Sequence, residues 1–163
     1  MGELEGLIIL HQGDLMPTKP NPVLTMLKAD HKKVKTLFAE YQEATPRKQQ
    51  DIAQTTIQEL EIHAALEEGL IYPAIREGID DDALMNEANE EHHLVHVLIA
   101  ELKELEPSDA TFKAKFTVLG ELVKHHVKEE EGEMFPQAQK ATIDWVELEA
   151  EVTQRKEQLM AHA

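Results

Sequence analysis

Beyond Pro22 the apolar positions recur at spacings of three and four, the period of a helix with one buried face. Leu24, Leu27, His31, Val34, Phe38 and Tyr41 form a first stripe, which Thr45-Pro46 ends. Ile52, Thr56, Leu60, His63, Glu67 and Leu70 predict a second helix from about Arg47 to about Ile79. Asp80-Asp81-Asp82 supplies acidic caps for a third, which carries Met85, Ala88, His92, Val95, Ile99 and Leu102 and runs to about Glu106. Pro107-Ser108-Asp109 is a stop followed by an N-cap. Phe112, Phe116, Leu119, Val123, His126 and Glu130 then mark the fourth helix. A shorter segment from Ile143 to Met160 puts Trp145, Leu148, Val152 and Leu159 on a docking face. Four long amphipathic segments joined by short turns predict an all-α fold, an up-down-up-down four-helix bundle with a short extra C-terminal helix. Residues 1–22, broken by Gly2, Gly6, Gly13, Pro17, Pro20 and Pro22, read as a flexible N-terminal segment. Residues 23–140 form the bundle domain, and residues 141–163 a C-terminal helix packed on the bundle or extending it.

The inward stripes contain polar residues where apolar ones belong. His31, His63, Glu67, His92, His126 and Glu130 are spread over all four helices. One such residue is an ordinary satisfied core group. Six need a common partner, because burying them unpaired is prohibitive.

An internal repeat isolates the same residues. The stretch from His63 to Pro73 aligns without gaps to that from His126 to Pro136. The histidine, Glu67-Glu68-Gly69 against Glu130-Glu131-Gly132, and the proline are identical, and Tyr72 matches Phe135. Asp30-His31 with Val34 recurs as Glu91-His92 with Val95. Each half is therefore a helical hairpin with one histidine on its first helix and His-x-x-x-Glu on its second. A single His-x-x-x-Glu is weak evidence in so glutamate-rich a chain; the duplicated pattern is strong. Residues i and i+4 share a helix face. One imidazole and one carboxylate from each hairpin can thus converge on the bundle axis, with Glu67 and Glu130 placed to bridge two metals. Imidazole with carboxylate, and no thiolate, suits Fe, Mn, Zn, Ni or Cu over Ca or Mg, and two metals bridged by carboxylates in a four-helix bundle favour iron. Gly69 and Gly132 suggest close packing beside the site, and Pro73 and Pro136 are expected to kink or end their helices and close one end of the bundle.

These motifs, Asp30-His31, His63-x-x-x-Glu67-Glu68 with Tyr72-Pro73, Glu91-His92, and His126-x-x-x-Glu130-Glu131 with Phe135-Pro136, resemble those of hemerythrin-like proteins, specifically bacterial HHE cation-binding domains. The resemblance covers about residues 22–140. It implies a non-haem diiron centre, two Fe ions with an oxo or hydroxo bridge. His31, His63, His92 and His126 would be terminal ligands and Glu67 and Glu130 bridging carboxylates. Oxygen-carrying hemerythrins have His-x-x-x-His on the third helix, so the resemblance adds His96; its alternative is a surface histidine or one that supports a ligand. His125 offers an i+5 spacing to Glu130, but the repeat selects His126. His93 points away from His92, His11 and His162 lie in the tails, and Tyr72 is a candidate for a supporting role beside the ligands.

Composition narrows the partners. The chain has 163 residues, enough for one domain, and no cysteine, which excludes disulfides, thiolate metal sites and cysteine nucleophiles. A net charge of −16 argues against nucleic acid and anionic membranes as partners. Leu7 to Leu10 falls far short of the ~20 apolar residues of a spanning helix, and Glu3 and Glu5 precede it where a signal peptide is basic. The expected location is cytoplasmic. The expected function is binding or sensing of O2 or a related small ligand such as NO or peroxide. The alternatives are an enzyme with peroxide-disproportionating (catalase-like) or ferroxidase activity at the same centre, and an iron-buffering or iron-sensing module.

Overall fold

A computed structural model describes residues 21–163. The flexible segment expected over 1–22, and His11 within it, lie almost wholly outside the described residues. Among those described, every regular element is helical: α1 (Pro22–Glu43), α2 (Pro46–Leu66), α3 (Tyr72–Gly78), α4 (Asp82–Lys103), α5 (Ala110–Glu129), α6 (Phe135–Lys140) and α7 (Trp145–Ala161). Two π-helical turns, Glu67–Ile71 and Glu130–Met134, join α2 to α3 and α5 to α6, so each pair is one long rod with a widened turn inside.

The starts follow from side-chain capping of free N–H groups. Asn21 Oδ1 accepts from Val23 N at 3.0 Å and Leu24 N at 3.2 Å, with Pro22 in the first turn where its missing N–H costs nothing. Asp81 of the acidic triplet caps α4 through Leu84 N at 3.1 Å, and Asp109 caps α5 through Thr111 N at 2.7 Å.

α1 packs on α2 and α5, and α4 packs on α5. α7 lies against α1, α2 and the first π turn, burying Leu148 and Val152 and partly burying Trp145 and Leu159. Gly78 closes α3 against the approach to α7: a Cβ there would stand 2.7 Å from Ile143 Cγ1.

The prolines do not end the helices. Pro73 and Pro136 sit in the first turns of α3 and α6, which run on past them. A proline ring collides with the carbonyl four residues back in a regular helix. The widened turn ahead of each proline supplies an extra residue, and the bonds shift to Tyr72 N–H donating to Glu67 O and Phe135 N–H donating to Glu130 O. The shift also corrects the inner stripe, which continues through the buried Ile71 rather than Leu70. The close packing expected at Gly69 and Gly132 is absent: a Cβ at either position would meet nothing within 4 Å.

The core divides in two. Leu24, Leu27, Leu66, Ile75, Met85, Met134 and Phe135 belong to one apolar cluster, and Val34, Leu60, Val95, Ile99, Phe116 and Leu119 to another. Each of α1, α2 and α4 passes from one cluster to the other through a histidine. Among the described residues no helix is long and apolar enough to cross a membrane.

Candidate metal centre

Between the two apolar clusters lies a layer of buried His31, His63, Glu67, His92, His126 and Glu130, all at most 9% exposed. Their ligand-type atoms form two groups of four, His31 with His63, Glu67 and Glu130, and His92 with His126, Glu67 and Glu130. Within each group the atoms lie within 4.8 Å of one another, and the two carboxylates belong to both. Each carboxylate is carried by the first residue of a π turn, one helical turn beyond its histidine.

Several contacts inside the layer are close but poorly aligned as hydrogen bonds. His63 Nε2 lies 2.9 Å from Glu67 Oε1, and His31 Nε2 lies 3.1 Å from Glu130 Oε1. Yet His31 Nε2, both Glu67 oxygens and Glu130 Oε1 are buried with no hydrogen-bond partner. His92 Nε2 and His126 Nε2 face each other at 3.1 Å. Orphaned buried polar atoms are costly unless a further group satisfies them. Atoms at contact distance that aim past one another are pointing at shared centres, and imidazole with carboxylate is a donor set for transition metals. The residues fit a pair of metal ions.

Every one of the four histidines meets a carboxylate on its other ring nitrogen. His63 Nδ1 is 3.0 Å from Asp30 Oδ2, and His126 Nδ1 is 2.9 Å from Glu91 Oε1. His92 Nδ1 is 3.1 Å from Glu68 Oε2, and His31 Nδ1 is 3.5 Å from Glu131 Oε2. The first three contacts fix their rings and leave Nε2 free to face a metal, while His31 Nδ1 makes no hydrogen bond. The pattern obeys the repeat. The acid preceding the first-helix histidine, Asp30 or Glu91, holds the second-helix histidine of its own hairpin. The second acid of each pair, Glu68 or Glu131, reaches across to the first-helix histidine of the other. All four acids stand in the repeated motifs, and their recurrence in register with the histidines is the sequence signal for this role. Lys156 of α7 approaches Asp30 Oδ1 at 3.6 Å, tying the C-terminal helix to this network.

Tyr72 also reaches the layer. Its phenol oxygen lies 3.1 Å from His92 Nε2 and 2.9 Å from His126 Nε2, and its hydroxyl donates a short hydrogen bond to Glu130 Oε2. Burial and the Glu67 and Glu130 carboxylates hold its pKa well above the usual phenol value.

His96 is not brought into either buried group. Its Nε2 lies 2.8 Å from Glu68 Oε2 and its side chain is 44% exposed; with Glu68 and His92 it forms a separate, more exposed group of ligand-type atoms. His125 likewise stays outside, 3.1 Å from Glu129 and 59% exposed. His93 and His162 are exposed, far from a ligand geometry.

Burial alone would lower the histidine pKa values, but the carboxylates outweigh it. His126 is pushed up to about 9, by Glu130, Glu67 and Glu91, and His63 rises well above its usual value, by Glu67 and Asp30. These imidazoles therefore carry protons at neutral pH in the apoprotein, and a metal must displace them. Loading the apoprotein with Zn²⁺ or Fe²⁺ at pH 7 should release protons, and apparent affinity should tighten as pH rises towards about 9. Proton release measured with an indicator dye in weak buffer checks this; an affinity independent of pH between 6 and 8 would contradict it.

Above the layer, on the side of Val34, Leu60, Val95, Val123 and Val127, lies a cavity of about 40 Å³ that also touches His31, His63, Glu67, His92 and His126. It has room for one small molecule.

The Hemerythrin HHE cation-binding domain family matches residues 23–138. A protein of Nostoc sp. named DNA nickase is 33% identical over 115 residues, which cover 68% of this chain and 31% of that one. The chain thus spans about a third of that relative's length. The crystal structure of a Hemerythrin HHE cation-binding domain-containing protein from Mycobacterium kansasii matches with a TM-score of 0.69 and 26% identity, covering 85% of this chain and 86% of that one. With a buried histidine–glutamate layer built on two repeated hairpins and a domain match across most of its length, the chain belongs to the hemerythrin HHE cation-binding domain family.

Proposed function

We propose that this chain is a non-haem diiron protein that binds or senses O2 or a related small ligand such as NO or peroxide. The observation that carries this reading is the pair of buried four-residue groups sharing Glu67 and Glu130, with a small cavity opening onto them. His31 and His63 would hold one iron ion, His92 and His126 the other, and the two glutamates would bridge. Such a centre, when bound, supplies reversible binding or reduction of a diatomic or peroxide ligand.

The protein's own residues set the terms. Val34, Leu60, Val95, Val123 and Val127 wall the cavity and exclude bulk water from a ligand there. Asp30, Glu68 and Glu91 orient the His63, His92 and His126 imidazoles. The Tyr72 hydroxyl donates to Glu130. Four neutral imidazoles bring less negative charge than a carboxylate-rich set, which favours the reduced metal state.

The Nostoc relative's name refers to DNA, but the matching region is under a third of that protein. This chain's net charge of −16 disfavours binding to a phosphate backbone, which supports the small-ligand reading over one that involves DNA.

Metal analysis combined with anaerobic and aerobic absorption spectra tests the reading. Two irons per chain and a spectrum that reverses on deoxygenation are expected. One zinc or no metal in protein from iron-rich cells would defeat the diiron reading. Catalytic O2 release from peroxide, lost in His63→Ala, would move the function to the enzyme class.

A further inference from the structure

The two hairpins repeat the acids that hold their second-helix histidines, but the outer oxygens of those acids meet different surroundings. Asp30 lies against His63 Nδ1 through Oδ2, and its Oδ1 faces Lys156 of α7 at 3.6 Å. Glu91, its equivalent in the repeat, lies against His126 Nδ1 through Oε1, and its Oε2 faces His125 Nε2 at 3.4 Å. We propose that Glu91, His125 and Glu129 form a second metal site, a surface position for a divalent ion of the zinc type that shares Glu91 with the buried centre. The site goes beyond the diiron reading and does not depend on which metal fills the buried layer.

The geometry is that of a ligand set. His125 Nε2 also stands 3.1 Å from Glu129 Oε1, and one ligand-type atom from each of the three residues lies within 4.8 Å of the others. One ring nitrogen has at most one proton to share, and 3.4 Å is longer than an N–H···O hydrogen bond ordinarily runs. The outer oxygen of Glu91, a residue 9% exposed, is thus turned into the group without a close partner of its own. Glu87 and Glu133 press on the Glu129 carboxylate together with Glu91. One imidazole does not balance this much negative charge, and a divalent cation does.

Exposure alone does not account for the group. His125 and Glu129 correspond in the repeat to Ile62 and Leu66. There α7 covers the hairpin: Ile62 packs against the cluster that contains Leu148 and Val152, Leu66 is fully buried, and Lys156 balances Asp30. On the second hairpin the equivalent side is open, with the His125 side chain 59% exposed. An open face asks only for polar side chains. This one sets an imidazole between two carboxylates, at the place where the first hairpin has a built-in cation. Imidazole and carboxylate without thiolate suit borderline divalent ions, and the exposure of His125 lets water fill the remaining positions. An ion at Glu91 Oε2 stands one carboxylate away from His126 and the buried centre.

Protein filled with Fe²⁺ and oxidised in air is dialysed against Zn²⁺, and the ions per chain are counted. The wild type is expected to take up one zinc more than His125→Ala or Glu129→Gln, with the iron content of all three unchanged. Removing a ligand should weaken uptake by more than the roughly tenfold typical of removing a group that only supports one. The readout is a difference between variants, so it stands whatever metal fills the buried layer, and circular dichroism confirms that each variant is folded. His93→Ala should match the wild type, because His93 is exposed and belongs to neither this group nor the one formed by Glu68, His92 and His96. Glu91→Gln should lose the additional zinc and also weaken the buried centre. Uptake that His125→Ala and Glu129→Gln leave unchanged overturns the proposal, as does a zinc lost only in His96→Ala or one that Glu91→Gln retains.

Discussion

Glu67→Gln is expected to reduce bound metal from two ions per chain to one or none while leaving a folded helical protein. Glu67 is fully buried, belongs to both ligand groups, and stands 2.9 Å from His63 Nε2 and 3.5 Å from His92 Nε2. The amide keeps the volume and removes the negative charge that offsets two cations. Its loss therefore falls on both positions, unlike removal of a single histidine. The same change removes the carboxylate that burial opposes but His63 and His92 hold well below its usual pKa, so His63 should give up its proton more readily in the variant. Metal content by elemental analysis, with circular dichroism as the check on fold, reads the result. A variant that still holds two ions would remove Glu67 from the bridging role.

Chelation should lower thermal stability sharply. The polar layer sits between two apolar clusters, and among the described residues it holds most of the buried side-chain polar atoms that lack partners. A ligand that binds only the folded state at about a thousand times its dissociation constant adds about 4 kcal/mol. For a domain of this size each kcal/mol is worth a few degrees, so the apoprotein should melt about 10–15 °C below the loaded form. Calorimetry with and without chelator measures the gap. Equal melting temperatures would mean that the layer is held by its own ion pairs, such as His63 with Asp30 and His126 with Glu91.

Much of this was legible in the chain. The four long segments announced themselves because Leu, Val, Ile and Phe keep one helical face and Asp81 and Asp109 cap where capping residues belong. The buried His–Glu layer was legible because the repeat separated Glu67 and Glu130 from many solvated glutamates. The π turns were not: helical periodicity is blind to one inserted residue, and the paired Gly and Pro around it read as breaks. The carboxylates on the outer imidazole nitrogens were present in the motifs, but whether Glu68 supports a histidine of its own hairpin or of the other depends on how the hairpins pack. The i+4 spacing of His96 from His92 was legible, but not that its side chain would meet Glu68 beside His92 rather than join either buried group of four.

The crossing contacts bear on how such a chain could have arisen. Glu68 of the first hairpin holds His92 of the second, Glu131 of the second approaches His31 of the first, and each ligand group draws a glutamate from both. A single hairpin is thus half a site, complete only against a copy of itself. The fold is laid out as a twofold-symmetric pair of such hairpins, fused end to end by the short loop before α4. A symmetric pair must carry the same residue at both equivalent places. Tyrosine at 72 opposite phenylalanine at 135 is a difference that only a fused gene can hold.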